Sequence, residues 1–245
     1  MRMKKIIPCL DMKDGMVVKG MNFVGIKEVG DPIGLAKKYC EDGADELTVL
    51  DITATVDGRK TKLDIIRKVR EAINIPLIVG GGIKTLTDIE DVLNAGASKV
   101  GINTAAIKDE SIIKETSQKF GSEKIIIAID TKRTNSGKYT VYINGGREDT
   151  GIDLVEWVKK CESLGAGELL PTSIDTDGMT GGYDIELYNL ICDAVKIPVI
   201  ASGGCGKLED FAEVFNKTNV SAALAASVFH FGTLSVKQVK DFLKS

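Results

Sequence analysis

The chain has 245 residues, of which 43% are hydrophobic and 27% are charged, and its net charge is −3. This length suits one α/β barrel and suffices to bury one sizeable core. The acidic balance argues against a general nucleic-acid-binding protein, and no apolar run approaches the ~20 residues of a membrane span. The single histidine excludes a histidine-rich metal site, and we expect no metal ion or other cofactor.

The five cysteines form no C-x-x-C pair, and their number is odd. This usage indicates reduced thiols in a cytosolic protein. Residues 1–5 lead straight into an apolar run and lack the hydrophobic region of a signal peptide. We therefore expect a cytoplasmic protein that does not associate with membranes. Four of the thiols are interpreted as small buried apolar side chains: Cys9, Cys40, Cys161 and Cys192.

Short apolar runs alternate with amphipathic stretches along the whole chain. The runs are rich in Ile, Val and Leu, which is typical of strands buried on both faces. They cover residues 5–10, 46–50, 76–79, 99–102, 124–129, 167–172, 198–201 and 222–225. The amphipathic stretches repeat apolar residues every three or four positions, which predicts helices. They cover residues 32–41 (with Asp31 as N-cap), 62–73, 86–95, 110–120, 154–164, 185–195, 208–215 and 236–243.

An internal repeat distinguishes a closed barrel from an open sheet. Residues 75–82 resemble residues 197–204, which lie 122 positions later, and residues 6–11 resemble residues 125–130. A two-fold repeat of four βα units closes naturally into eight strands, whereas an open sheet gives no comparable reason for the repeat. The sequence therefore predicts one (βα)8 TIM barrel over residues 1–245, built from half-barrels of roughly 1–122 and 123–245.

Two aspartates are the candidate acid and base. Asp11 and Asp130 follow the first and fifth runs, at equivalent positions of the two halves. These strands face each other across the C-terminal mouth of a barrel, where active sites lie. One carboxyl group can then donate a proton while the other accepts one. A single aspartate at a strand end is often only a helix cap, but two equivalent ones favour catalysis.

Two glycine-rich turns are candidate phosphate sites. Gly81-Gly82 and Ser202-Gly203-Gly204 each follow a strand and precede a helix, whose N-terminal N–H groups attract anions. Asn103-Thr104 and Ala226-Ser227 follow the neighbouring strands, where barrels often bind phosphate. Because the repeat duplicates this arrangement, we expect two phosphates at opposite ends of a long substrate; the alternative is tight turns that need glycine for their geometry. Further candidate substrate contacts are Lys19, Thr172, Asp177 and Gly178.

Residues 14–20, which include Lys19, are predicted to form a long loop that could close over the substrate. Residues 131–151 are predicted to form a second long loop. At the opposite mouth, charged residues begin four strands, and they form either a salt-bridged plug or a gate into the barrel where a partner docks. They are Lys5, Glu46, Lys99 and Glu168.

The chain resembles the cyclase subunits of imidazole glycerol phosphate synthase, from histidine biosynthesis. The stretches that carry this resemblance include IIPCLDMKDGMVVKGMNF, LDITATVDGRKT, VGGGI, KVGINTAA, AIDTKR, GAGELLPTSIDTDG, IASGGCGK and ALAASVFHF, between residues 6 and 231. The chain departs from the family pattern with Lys5 in place of Arg, with Met179-Thr180 in place of Thr-Lys, and with Pro171 inside the sixth strand.

The resemblance implies a lyase that uses ammonia. The substrate would be a bis-phosphorylated ribulosyl formimino-carboxamide ribonucleotide, and the products imidazole glycerol phosphate and an aminoimidazole carboxamide ribonucleotide. Asp11 would be essential and Asp130 would assist ring closure, while the glycine and Asn/Thr/Ser turns would hold the phosphates. A glutamine amidotransferase subunit would form a heterodimer at the N-terminal face and supply ammonia past the four charged residues.

Three other functions remain open. The sister isomerase of the same pathway shares the half-barrel repeat, but it needs no ammonia path and therefore no charged gate. A related barrel passes ammonia to surface sugars and often lacks the first-strand aspartate, whereas this chain has Asp11 and Lys19. A non-enzymatic scaffold gives no reason to retain both aspartates and both turns, and the fold alone decides none of these.

Overall fold

The computed structural model describes residues 4–21, 24–54 and 61–244. Eight parallel strands pair with one another in chain order, and the last pairs with the first to close the barrel. The predicted (βα)8 barrel is therefore confirmed. The strands are β1 (Lys5–Lys13), β2 (Met16–Met21), β3 (Val24–Gly30), β4 (Leu47–Asp51), β5 (Leu77–Gly80), β6 (Lys99–Ile102), β7 (Ile125–Arg133), β8 (Tyr139–Ile143), β9 (Glu148–Asp153), β10 (Glu168–Ser173), β11 (Ile200–Ser202) and β12 (Ala222–Ala225).

The helices lie between the barrel strands, and the eight predicted ones agree with the structure to within about two residues at each end. Asp31 caps the first, since its Oδ2 accepts the Gly34 N–H at 2.8 Å. The prediction missed two short helices, which follow β6 and β12. The α-helices of the described chain are α1 (Pro32–Glu41), α2 (Leu63–Ala72), α3 (Leu86–Asn94), α4 (Thr104–Lys108), α5 (Ser111–Phe120), α6 (Leu154–Ser163), α7 (Ile185–Ala194), α8 (Leu208–Lys217), α9 (Ser227–His230) and α10 (Val236–Phe242). None is long and apolar enough to cross a bilayer.

The two predicted long loops are wrong, because each contains an antiparallel hairpin. After β1, the strands β2 and β3 extend the sheet through a turn at Asp14-Gly15, where both φ angles are positive. After β7, the strands β8 and β9 do the same. Asp-Gly is a favoured two-residue hairpin turn, and β8 alternates buried and part-exposed residues as a half-buried strand does. Both signals were present in the sequence.

Apolar side chains fill two regions of the barrel. Successive strand residues point to opposite faces, so one set packs outwards against the helices and the other fills the interior. Full burial of one such side chain contributes about 1.5–3 kcal/mol. The interior set consists of Ile7, Cys9, Ile78, Ile126, Leu170, Ile200, Ala222 and Leu224. Of the four thiols expected to be buried, Cys9 and Cys161 are, whereas Cys40 and Cys192 are partly exposed because they lie at helix surfaces.

Candidate active site

A cavity of about 460 Å³ opens at the C-terminal ends of the barrel strands. Of the fifteen catalytic and substrate-binding residues expected from the sequence, fourteen line it. They are Asp11, Gly81, Gly82, Asn103, Thr104, Asp130, Thr172, Asp177, Gly178, Ser202, Gly203, Gly204, Ala226 and Ser227. The fifteenth, Lys19, lies on β2, and its side chain is outside the part that the structure describes.

Asp130 lies near the end of β7, where it pairs with Thr172 of the neighbouring strand. The side-chain amide of Asn103 donates to its Oδ2 at 3.0 Å. Burial raises the pKa of the Asp130 carboxyl to about 6, and the nearby Asp177 carboxylate acts in the same direction; hydrogen bonds from Asn103 and from the Gly146 N–H oppose both. A carboxyl group with this pKa can hold or release a proton near neutral pH.

Asp11 occupies the equivalent place on β1, across the barrel from β7. Its neighbour on β4 is Leu50, and the Cys9 thiol lies 3.5 Å from its Oδ1. Asp11 is part-exposed and lines the same cavity as Asp130. The expected pair of carboxyl groups therefore faces one space, from opposite strands.

Both glycine turns have a backbone that only glycine adopts readily. The φ angles are +91° and +71° at Gly81 and Gly82, and +92° and +98° at Gly203 and Gly204. A Cβ on Gly81 would overlap the carbonyl oxygen of Asp51. These conformations leave the backbone of each turn open to the cavity, so that a bound group can approach it closely.

The same cap fixes the helix after each turn. Asp88 accepts the Thr85 N–H at 3.0 Å at the start of α3, and Asp210 accepts the Lys207 N–H at 3.0 Å at the start of α8. A carboxylate in the first turn also interacts favourably with the positive end of the helix dipole. The repeat therefore conserves not only the glycines but also the anchor of the helix behind them.

The turns after β6 and β12 also match each other. Asn103 precedes α4 with φ −122° and ψ −94°, and Ala226 precedes α9 with φ −123° and ψ −71°. A short extra helix at this place forms part of the phosphate site in many barrels. The sequence did not reveal these helices because four or five residues are too few to show an amphipathic period.

At the opposite mouth, the four predicted charged residues form one connected cluster. Lys99 Nζ lies 3.0 Å from Glu46 and 2.7 Å from Glu168, and Lys5 Nζ lies 2.5 Å from Glu46. Burial alone would lower the pKa of Lys99, but the carboxylates of Glu168 and Glu46 more than offset this, so its pKa is raised. The cluster closes the end of the barrel beneath the apolar interior set.

The sequence did not single out every residue that lines the cavity, and Asn144, Gly145, Lys84 and Lys108 are among those it missed. Asn144 and Gly145 begin the four-residue turn between β8 and β9, and the Asn144 N–H donates to Thr104 Oγ1 at 3.1 Å. Asn-Gly is a strong hairpin-turn signal that could have found them. Lys84 and Lys108 also line the cavity, and nothing distinguishes them in sequence from other exposed lysines. Within residues 4–21, 24–54 and 61–244, no group of three His, Cys, Asp or Glu side chains could hold a metal ion.

Residues 5–235 match the model of a family described as histidine biosynthesis protein. The chain belongs to this family. It is 54% identical over 242 residues to the imidazole glycerol phosphate synthase subunit HisF of Clostridium botulinum strain Okra (Type B1), with 98% of this chain and 96% of the relative covered. The subunits of the same name from strains Kyoto (Type A2) and 657 (Type Ba4) are 54% and 53% identical, with the same coverage. The resemblance to the cyclase subunit is therefore confirmed.

Proposed function

We propose that the chain is the ammonia-dependent cyclase subunit of imidazole glycerol phosphate synthase, and that it acts as a lyase. The substrate is the bis-phosphorylated ribulosyl formimino-carboxamide ribonucleotide. Ammonia attacks it, the formimino bond is cleaved, and the imidazole ring closes. The products are imidazole glycerol phosphate, the aminoimidazole carboxamide ribonucleotide and one water molecule, which is released when the incoming nitrogen condenses with the ribulosyl carbonyl group.

The observation that carries this proposal is one cavity that combines two facing carboxyl groups with two repeat-related glycine turns. Backbone N–H groups at Gly81–Gly82 and at Gly203–Gly204 suit two phosphates at opposite ends of a substrate. Asp11 and Asp130 lie between these ends and exchange protons with the reacting atoms. Asn103, which donates to Asp130, orients that carboxyl group.

Ammonia reaches the cavity through the barrel. The interior set of apolar side chains separates the cavity from the cluster of Lys5, Glu46, Lys99 and Glu168. An apolar interior admits neutral ammonia more readily than the ammonium ion, because burying an unpaired charge is costly. A glutamine amidotransferase subunit docks at this N-terminal face, and the charged cluster is the gate that its ammonia passes.

The first experiment measures turnover of the ribulosyl substrate with ammonium salt at alkaline pH, where more of the salt is ammonia. We expect loss of substrate absorbance with the wild type, and a loss of activity of about 1,000-fold or more in Asp11→Asn. Asp64→Asn makes the same change at an exposed position of α2 and should leave turnover unchanged. A folded protein that binds the substrate without converting it would instead support the relative that passes ammonia to surface sugars.

A further inference from the structure

The ladder between β10 and β11 is interrupted beside the cavity. The strands pair at Leu169–Val199 and at Thr172–Ser202, with no pair between them. Pro171 lies in this gap, and because proline has no N–H it cannot donate the bond that would continue the ladder. A proline inside a buried parallel strand therefore leaves a place where the two strands are held by fewer backbone bonds.

The hydroxyl group of Tyr188 occupies this gap. Tyr188 lies on α7 and is fully buried. Its Oη accepts the Ser202 N–H at 2.8 Å, and it lies 2.5 Å from the Ser202 carbonyl oxygen and 3.3 Å from that of Pro171. A hydroxyl group has one proton to donate, so it serves one carbonyl at a time, and Ser202 is the nearer. The side chain thus joins the last residue of β11 to a helix outside the barrel.

The first half of the barrel provides a natural comparison. There β4 and β5 pair without interruption from Leu47–Leu77 to Leu50–Gly80. The residues 122 positions before Pro171 and Tyr188 are Val49 and Ile66, and both are fully buried. In the first half the strand residue, Val49, has an N–H, and the helix residue, Ile66, is apolar. The hydroxyl group of Tyr188 therefore occurs only in the half that has the proline.

We propose that Tyr188 is a positioning residue for the second phosphate turn, and that Pro171 creates the need for it. Ser202 leads directly into Gly203 and Gly204, so the orientation of its peptide groups sets the direction of the N–H groups that follow. The Tyr188 hydroxyl fixes that orientation where the ladder does not. The inference rests on the proposed function, since it is there that the turn receives its phosphate.

The experiment compares Tyr188→Phe with the wild type by steady-state kinetics and by amide hydrogen exchange. Losing one buried hydrogen bond next to the turn should raise the KM for the ribulosyl substrate about 10-fold and change kcat less than about 2-fold. Exchange should accelerate in residues 200–204 and stay unchanged in residues 78–82. The matched control is Ile66→Val, at the equivalent helix position, which should lower Tm without altering KM or either exchange rate.

A second variant tests the role of the proline. Pro171→Val in the Tyr188→Phe background returns an N–H to β10 and reproduces the arrangement of the first half, so KM should return to within about 2-fold of the wild-type value. The inference is overturned if Tyr188→Phe leaves both KM and the exchange of residues 200–204 unchanged, or if the double variant is no better than Tyr188→Phe. Absence of cyclase turnover in the wild type would refute the proposed function instead, and the exchange experiment would still decide whether Tyr188 holds Ser202.

Discussion

At the cavity, the first half of the barrel presents Gly81 and Asn103 where the second presents Gly203 and Ala226. The backbone conformations correspond closely, with φ angles of +91° and +92° at the two glycines and −122° and −123° at the residues before the short helices. The side chains do not correspond. Asn103 donates to Asp130, and alanine at position 226 has no group that could do the same for Asp11.

This difference shows which features of the repeat each half retains. The proposed phosphate contacts through backbone N–H groups need only the conformation, and both halves keep the glycines and the helix caps behind them. The two carboxyl groups that we propose for proton transfer need different surroundings, because an acid and a base have opposite roles. Asp130 is bordered by Asn103, Gly146 and Asp177, whereas the Cys9 thiol lies 3.5 Å from the Asp11 carboxylate.

After the loss expected for Asp11→Asn, the largest expected effect comes from removing the charge of Asp130. Asp130→Asn should lower kcat at least about 100-fold, because the residue can no longer transfer a proton. It should also stabilise the fold by on the order of 2 kcal/mol at pH 7, because the raised pKa means that the ionised carboxyl group destabilises the folded state. Steady-state turnover measures the change in kcat, and urea unfolding measures the change in stability.

The stabilisation expected for Asp130→Asn should increase with pH. A carboxyl group whose pKa rises from 3.8 to about 6 on folding destabilises the folded state increasingly as pH rises between these values, and fully above them. The difference in stability between Asp130→Asn and the wild type should therefore be smallest below pH 3.8 and largest above pH 6. A difference in stability that does not vary with pH would mean that folding does not raise the pKa of the Asp130 carboxyl group.

The charged cluster at the other mouth is less symmetric than the cavity. Glu46 and Glu168 are equivalent residues, 122 positions apart, but Lys99 has Ala222 as its counterpart, so one lysine serves both carboxylates. Lys99→Met leaves two buried carboxylates without this partner and should cost about 3 kcal/mol in urea unfolding. Lys5→Met removes a more exposed lysine, with 40% of its side chain accessible, and should cost less than about 1 kcal/mol. Equal losses of unfolding free energy in the two variants would contradict the conclusion that Lys99 is the main partner of both carboxylates.

The sequence was sufficient to predict the barrel and most of the cavity, because both depend on regular patterns. Uninterrupted apolar runs indicate the strands, and the residue after each run must lie at the mouth, which is how Asp11, Gly81 and Asp130 could be placed. The hairpins were missed because a strand such as β8 alternates buried and part-exposed residues and therefore lacks the continuous apolar run of a barrel strand. The apposition of Tyr188 and Pro171 could not be predicted, since the helix and the strand meet only once the barrel closes.

The smallest expected effect is the difference in stability between alanine substitutions in the two glycine turns. Gly81→Ala places a Cβ against the Asp51 carbonyl group, so the backbone of β4 or of the turn must move. Gly203→Ala meets its nearest atom, the Ser173 carbonyl oxygen, at 3.2 Å, so it mainly incurs the cost of a positive φ. We expect losses of about 2 kcal/mol for Gly81→Ala and about 1 kcal/mol for Gly203→Ala in urea unfolding. Titration with inorganic phosphate should show weaker binding in both, and more so in Gly81→Ala. If Gly203→Ala proves the more damaging, the overlap with the Asp51 carbonyl group does not decide what a side chain costs in these turns.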